Sequence, residues 1–424
     1  MKRHLIGIGG VGMSALATAL IRLGDEVTGA DRTLGTPNIR FLESLGVKVY
    51  PDDGSGVDAA TGEVIVSTAI EETNAGLIKA KELGIPVTHR AKALSRTLKN
   101  YKLVAVVGTC GKSTVTAMLG HVLAECGLDP MCVNGANVPG WEGAVRFGKG
   151  EYAVAEVDES DKSLVAFSPY AAIVTNASAD HYSKEEMDEV FDAFVRDCKG
   201  PVIDGRKEGS GIRDQGSGVE WVTPLPGKHN LQNAALAAKM ALALGCKPDD
   251  IKRALASFRG VERRLQLISR SDPCSLIPDP FFVYDDYAHN PEKLKAMWTT
   301  LAEKHPEGIC VIWRPHGYAP LRKMMDALAE MFAETVRPCD KLLLLPVYDA
   351  GGTTDRSVNS EALVGAIAAR SSSGSSDSRI VELVPDLDAA YDWCAAHKGK
   401  FAAFVTCGAR DPGLPLLAKR LSEM

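Results

Sequence analysis

Three successive α/β domains, over residues 1–99, 100–269 and 270–424, are what the sequence predicts, and three observations point to them. A glycine turn, Gly7-x-Gly9-x-x-Gly12, separates a short strand-like run from an amphipathic helix pattern that reaches Leu23. A second glycine turn, GTCGKST at 108–114, follows the apolar run Leu103–Val107 and leads into a helical pattern over Val115–Glu125. Beyond a Pro- and Ser-containing joint at 269–280, strand-like runs at 281–287, 309–313, 341–346, 380–384 and 401–406 alternate with helical stretches, the pattern of a doubly wound unit. The length agrees: 424 residues exceed one ordinary core, and roughly 150 residues per domain gives about three.

In the first domain, the run from His4 to Asp31 reads as strand, turn, helix and second strand, a Rossmann-like half. Gly9, Gly10 and Gly12 keep the helix start open to a phosphate-bearing ligand, because the first N–H groups of a helix have no carbonyl partner. Asp31 places a carboxylate where a ribose hydroxyl lies in such folds. The strand Glu63–Ser67 continues the sheet and delivers Thr68, Ala69 and Ile70 at its end. The unit closes near Lys99, which leaves no room for a full dinucleotide fold.

In the central domain, Gly108, Thr109, Gly111, Lys112, Ser113 and Thr114 read as a cradle for a nucleotide triphosphate. The glycines admit phosphate close to the backbone, Lys112 brings a point charge, and Ser113 or Thr114 can hold Mg²⁺. The loop is a shortened, P-loop-type variant: only Thr109 and Cys110 separate the glycines, against four residues in the usual spacing, and Val106 stands where the first glycine is expected. The strands Tyr152–Val157 and Ala171–Thr175 follow and carry polar residues at their carboxyl ends. These are Glu156, Asp158 and Glu159 on the first, and Asn176, Asp180 and His181 after the second. Open α/β sheets bind ligands at those ends, so loop, carboxylate and histidine are expected to converge.

The composition, 45% hydrophobic and 24% charged, is that of a globular protein, and a net charge of −6 without a long basic run gives no basis for a nucleic-acid partner. No 18-residue apolar run suggests a membrane span, and glycines interrupt the apolar amino terminus where a signal core would lie. Ten cysteines without a C-x-x-C pair, some within apolar runs as at Cys310 and Cys407, read as reduced structural thiols of a cytoplasmic protein. The runs at 208–218 and 371–378 read as mobile surface loops, and the chain as a monomer or weak homodimer.

Seven segments stand in a fixed order: GIGGVGMS from Gly7, the GTCGKST loop, EVDESD at 156–161, the Thr175-Asn176 to Asp180-His181 run, GKHNLQNAALA at 227–237, RRLQ at 263–266 and DDYAHNP at 285–291. Together they resemble the Mur ligases of peptidoglycan precursor synthesis, in particular the branch that joins L-alanine to UDP-N-acetylmuramate. The resemblance spans nearly the whole chain and implies the three-domain Mur ligase architecture. It also implies an ATP-dependent, ADP-forming amide ligation in which a carboxylate attacks the γ-phosphate to give an acyl phosphate, and an amine then displaces phosphate. On this resemblance Lys112, Glu156 and His181 are catalytic, and Ser113, Glu156 and His181 hold Mg²⁺. Asn230 and Asn233 face the adenine or ribose, Arg263 or Arg264 touches ATP phosphate, and Asp286 meets the ribose. The first domain holds the UDP-sugar through Gly9, Gly10 and Gly12, with Asp31, Ser67 and Thr68 beside it. His289 falls among the substrate-side residues, although with Asn290 it also suits the turn before Pro291.

Two departures bear on the acceptor and the nucleotide. Cys110 stands where the branch carries His or Asn. The third-domain Gln-Pro-His-Arg-Tyr-[ST]-Arg segment appears as Arg314, Pro315, His316, Gly317, Tyr318, Ala319 and Pro320, so both arginines of the motif are lost, with Arg322 nearby. Other readings are a Mur-type ligase with a different acceptor, such as a tripeptide or a substrate outside peptidoglycan, a non-catalytic nucleotide or UDP-sugar sensor, and an NAD-dependent oxidoreductase. The last leaves Lys112, Glu156 and His181 without a role.

Overall fold

The computed structural model describes residues 1–158, 163–177, 184–207, 220–270, 281–349, 355–370 and 380–424. The runs at 208–218 and 371–378, most of the joint at 269–280, and Glu159, Asp180 and His181 lie outside the described residues. The chain forms two compact units, residues 1–225 with 229–261 and residues 226–228 with 262–424.

The first unit holds two sheets. One comprises β1 (Lys2–Ile6), β2 (Glu26–Asp31), β3 (Lys48–Pro51), β4 (Glu63–Val66) and β5 (Val87–His89), ordered β3-β2-β1-β4-β5 and parallel throughout. Its helices are α1 (Val11–Arg22), α2 (Pro37–Ser44), α3 (Ala75–Glu82) and α4 (Arg90–Thr97). The other comprises β6 (Lys102–Val107), β7 (Met131–Val133), β8 (Val145–Arg146), β9 (Tyr152–Glu156), β10 (Ala171–Val174) and β11 (Val202–Asp204), ordered β11-β10-β6-β9-β7-β8, with only the β7–β8 pair antiparallel. α5 (Lys112–Glu125), α6 (Lys184–Val195), α7 (Lys228–Ala243) and α8 (Pro248–Ser257) accompany it.

Strands buried on both faces read as unbroken apolar runs, and β6, with Leu103 to Val107 all buried, is the example that fixes the second sheet. One apolar core serves both sheets: Leu16 and Leu20 of α1 and Leu94 of α4 share it with Met131, Val145, Leu164 and Phe191. The exposed pair Arg22–Glu142, at 2.6 Å, lies at the same seam.

The second unit has β12 (Gln266–Arg270), β13 (Phe282–Asp286), β14 (Ile309–Trp313), β15 (Lys341–Leu344), β16 (Val381–Leu383) and β17 (Ala403–Cys407), ordered β12-β13-β17-β14-β15-β16. All pairs are parallel except β12–β13, which is antiparallel. β12 falls within the stretch that the sequence reading gave to the central domain, and here it forms the edge of the third sheet. Five helices complete the unit: α9 (Pro291–Lys304), α10 (Tyr318–Thr335), α11 (Ser360–Ala368), α12 (Leu387–Ala396) and α13 (Gly413–Ser422). The nine described cysteines are free thiols, and no helix among the described residues is long and apolar enough to cross a membrane.

Candidate functional site

The strand-turn-helix reading of the phosphate loop holds: β6 ends at Val107 and α5 begins at Lys112. Gly108 and Gly111 take φ of 128° and 84°, a region that disfavours any side chain. A Cβ at Gly108 would fall 2.1 Å from Thr175 Oγ1, and one at Gly111 would fall 2.7 Å from Asn233 Oδ1. The turn is therefore packed from behind by β10 and by α7, and its open side is backbone. Lys112 Nζ donates to Gly108 O at 2.6 Å, so the ammonium lies over the loop it serves. Ser113 and Thr114 are buried in the first turn of α5, beside N–H groups that a helix start leaves for an anion.

Asn176, noted in the sequence only as a polar strand end, shapes this loop. Its Oδ1 accepts Thr109 Oγ1 at 2.6 Å and the Cys110 N–H at 3.0 Å, while its Nδ2 donates to Cys110 O at 3.0 Å. Thr175 Oγ1 also donates to Cys110 O, at 2.7 Å. The side chain of a neighbouring strand thus braces a loop that is two residues short. β10 pairs with β6, so the residue just past β10 lies beside the loop just past β6. Asn176→Ala removes three hydrogen bonds worth about 0.5–1.5 kcal/mol each. We expect a lower melting temperature and a KM for ATP raised about tenfold or more, read by thermal melts and steady-state kinetics.

β9, on the other side of β6, ends at Glu156. Glu156 Oε2 accepts the Gly135 N–H at 2.8 Å, and Oε1 receives no hydrogen bond from a described residue. On α7, buried Asn230 and Asn233 are linked by a 3.3 Å hydrogen bond, and Asn233 abuts Gly111. The structure so brings Gly108 to Thr114, Asn233 and Glu156 to one edge of the second sheet. Among the described residues no cluster of three His, Cys, Asp or Glu side chains forms a ready metal cage. Glu156, with Ser113 or Thr114 as a hydroxyl donor, supplies hard oxygens of the type Mg²⁺ takes alongside phosphate and water. The positive-φ glycines and the helix start fit a triphosphate.

In the first sheet Gly7 takes a φ of 76°, and α1 starts after Gly10 without a side-chain cap. Asp31 is tied to the turn: its Oδ2 accepts the Gly9 N–H at 2.8 Å and its Oδ1 accepts the Thr33 N–H at 3.0 Å. Asn38 Nδ2 donates to Gly9 O at 2.9 Å. Arg90, at the start of α4, has Nη1 3.1 Å from the position of a Cβ on Gly12. It adds a half-buried cation beside the glycine turn, and neither Asn38 nor Arg90 was anticipated. Ser67 and exposed Thr68 follow β4, which neighbours β1 in the sheet.

In the second unit the adjacent arginines have different environments. Arg263, at φ 57°, donates through Nε to Asp285 Oδ2 at 3.1 Å and through Nη2 to Gly408 O at 2.5 Å. Burial pushes the Asp285 carboxyl up to about 6, against the opposing pull of the Arg263 guanidinium. Arg263 and Arg264 both lie 5.1 Å over the Tyr287 ring. Asp286 receives the Leu265 N–H at 2.6 Å and the Ala288 N–H at 2.7 Å, which ties the start of β12 and the turn after β13 to one carboxylate. His289 Nδ1 meets Tyr287 O at 2.9 Å, and burial lowers its pKa to about 3, so it is neutral at physiological pH. Asn290 caps α9 by accepting the Lys293 N–H at 3.0 Å. Arg314 pairs with Asp411 at 2.6 Å and Arg322 with Asp355 at 2.7 Å.

Arg263→Ala leaves a buried carboxylate without its cation and is expected to cost about 3–5 kcal/mol of stability. Because the folded-state pKa of Asp285 lies above the unfolded value, its ionisation opposes folding. Stability linked to this group is present at low pH and lost as pH rises through about 6. The deficit of Arg263→Ala is therefore expected to be larger at pH 8 than at pH 5 in denaturant titrations. Arg264→Ala is expected to lower ligation, read by ADP release.

Residues 2–102 match the Mur ligase family, catalytic domain, and residues 263–410 match the Mur ligase, glutamate ligase domain. A UDP-N-acetylmuramate–L-alanine ligase of Rubrobacter xylanophilus is 34% identical over 463 residues, covering 99% of this chain and 100% of that protein. One from Agrobacterium fabrum is 31% identical over 456 residues, covering 96% and 93%. The crystal structure of a UDP-N-acetylmuramate–alanine ligase from Thermotoga maritima superposes with a TM-score of 0.81 at 25% identity, over 100% of this chain and 98% of the other.

Proposed function

The chain belongs to the Mur ligase family, and from that premise and the site geometry we propose that it joins L-alanine to the carboxylate of UDP-N-acetylmuramate with conversion of ATP to ADP and phosphate. It is an ATP-dependent ligase of peptidoglycan precursor synthesis. The observation that carries the reading is the convergence of the Gly108–Thr114 cradle, Asn233 and Glu156 on one sheet edge, in a chain whose full-length relatives carry that activity in their names.

Each part of the reaction draws on a different group of this chain. Two anions, the muramoyl carboxylate and the γ-phosphate, must approach each other, so the site needs positive charge and oriented N–H groups more than a base. Lys112 leaves Gly108 O for phosphate oxygen, and the amides of the loop and of the first turn of α5 hold the remaining charge. Mg²⁺ neutralises charge on the transferring phosphoryl group when bound. Ser113 and Glu156 are the residues that would hold it, with His181 as the third ligand that the resemblance implies. Asn230 and Asn233 serve the nucleoside, and Arg263 or Arg264 serves nucleotide phosphate, Arg263 already giving Nε to Asp285 and Nη2 to Gly408. Gly9, Gly10, Gly12, Asp31, Ser67 and Thr68 serve the UDP-sugar, joined by Asn38 and Arg90.

The test is ADP release with UDP-N-acetylmuramate and a panel of acceptors, with the product identified by mass. L-alanine is expected to give the highest kcat/KM. Since Arg314 and Arg322 are both engaged by aspartates, the panel includes an L-alanyl-γ-D-glutamyl-diaminopimelate tripeptide. Turnover with the tripeptide but not L-alanine would replace the acceptor and keep the ligase. ADP release with no UDP-sugar dependence would overturn the reading.

A further inference from the structure

Glu156 reaches the end of β9 on the side of the sheet where β7 is its neighbour, and the segment following β7 turns back across it. The Gly135 N–H in that segment donates to Glu156 Oε2 at 2.8 Å. A side chain added to Gly135 would meet this carboxylate first. A Cβ on Gly135 would lie 2.4 Å from Glu156 Oε2, 2.5 Å from Cδ and 2.6 Å from Oε1, far inside any tolerated separation from all three carboxylate atoms. Gly135 is not in the left-handed region, so backbone freedom is not what the position requires. A side chain here would have to displace the Glu156 carboxylate, which occupies that volume.

We propose that Gly135 is a positioning residue for the metal-binding carboxylate: it anchors Glu156 Oε2 by its N–H and, having no Cβ, leaves Oε1 as the oxygen presented to the ion. The inference rests on the reading of Glu156 as a ligand of Mg²⁺. A Glu side chain has three rotatable bonds, and a single-oxygen anchor removes most of that freedom without spending the second oxygen. An N–H donor to the carboxylate also holds the anion in one place before the ion arrives, which is the sense in which an outer partner orients a ligand. The same backbone run leads to Glu142, which pairs with Arg22 of α1 at 2.6 Å.

The test is a double-mutant cycle read by the Mg²⁺ concentration that half-activates ADP release at saturating substrates, using Gly135→Ala, Glu156→Gln and the double variant. Gly135→Ala is expected to raise that concentration about tenfold or more, with ATP binding in EDTA unchanged, and to add nothing further in the Glu156→Gln background. An equal shift in both backgrounds, or no shift in Gly135→Ala, would overturn the positioning role while leaving Glu156 as a ligand. An unchanged Mg²⁺ requirement in Glu156→Gln would instead overturn the ligand reading, and the proposal with it. A crystal structure of the wild type with Mg²⁺ and a non-hydrolysable ATP analogue decides the point without a variant. Oε2 on Gly135 N with Oε1 on the ion is the expected arrangement, and a carboxylate swung away from Gly135 refutes it.

Discussion

Lys112→Ala is expected to lower ligation by about 100- to 1,000-fold or more while leaving the protein folded. The side chain is half-buried at the start of α5 and donates to Gly108 O at 2.6 Å. Losing that contact costs about 1 kcal/mol, the usual net worth of such a bond. The turn keeps its braces from Asn176, Thr175 and Asn233, so the melting temperature is expected to fall by only a few degrees. Turnover is another matter. The charge that Lys112 brings is needed while negative charge spreads over the transferring phosphoryl group, and a hydrogen bond from water in a polar cleft does not replace it. Single-turnover ADP release separates the chemical step from nucleotide binding. A well-folded Lys112→Ala protein with wild-type turnover would remove the nucleotide assignment of the loop.

Much of the scaffold was legible because its central strands are buried on both faces. Leu103–Val107 and Ala171–Thr175 carry no alternation to misread, and each is followed by the polar residues of a strand end. The strands that escaped notice are β12, Gln266–Arg270 beside the joint, and the short ones: Lys48–Pro51, Val87–His89, Met131–Val133, Val145–Arg146 and Val202–Asp204. Two to four residues carry too little pattern, and they form only because a finished neighbour offers its edge. The overlooked site residues follow from the same fact. Arg90 opens the helix after the unseen strand Val87–His89, and Gly135 follows the unseen strand Met131–Val133. Asn176 was visible as a residue but not as a loop brace, because 66 residues separate it from Cys110 in sequence and a single sheet step separates them in space.

The pair Arg263 and Arg264 shows a limit of another kind. Chemically identical neighbours cannot be told apart by composition or spacing. Both guanidiniums lie 5.1 Å over the Tyr287 ring, and it is Arg263, at positive φ, that also donates to Asp285 and Gly408. Asp286 also accepts two backbone N–H groups, from Leu265 and Ala288, a role its motif does not announce.

Gly9→Val is expected to abolish measurable binding of UDP-N-acetylmuramate and to leave ATP binding near wild type. A single Cβ at this position would stand 3.0 Å from Asp31 Oδ2 and 3.1 Å from Ile39 Cδ1, so the first added carbon is already tight against both. The two further methyls of Val have only the open side of the turn left to them, which is the side where the unpartnered N–H groups of α1 face an anion. The variant therefore fills the place of the pyrophosphate and also strains the 2.8 Å hydrogen bond from Gly9 N–H to Asp31. The ATP cradle is built on another sheet, around Gly108 and Gly111, and has no residue in common with this turn. Calorimetric titration with UDP-N-acetylmuramate, UDP and NAD reads the outcome, with ATP as the control for an intact second sheet. Arg90→Ala, which removes the cation beside Gly12 without adding bulk, is expected to weaken UDP and UDP-N-acetylmuramate together, and more at low salt than at high salt. Wild-type affinity for UDP-N-acetylmuramate in Gly9→Val would move the sugar nucleotide out of this turn, and wild-type binding of NAD in place of UDP would restore the oxidoreductase reading of the first sheet.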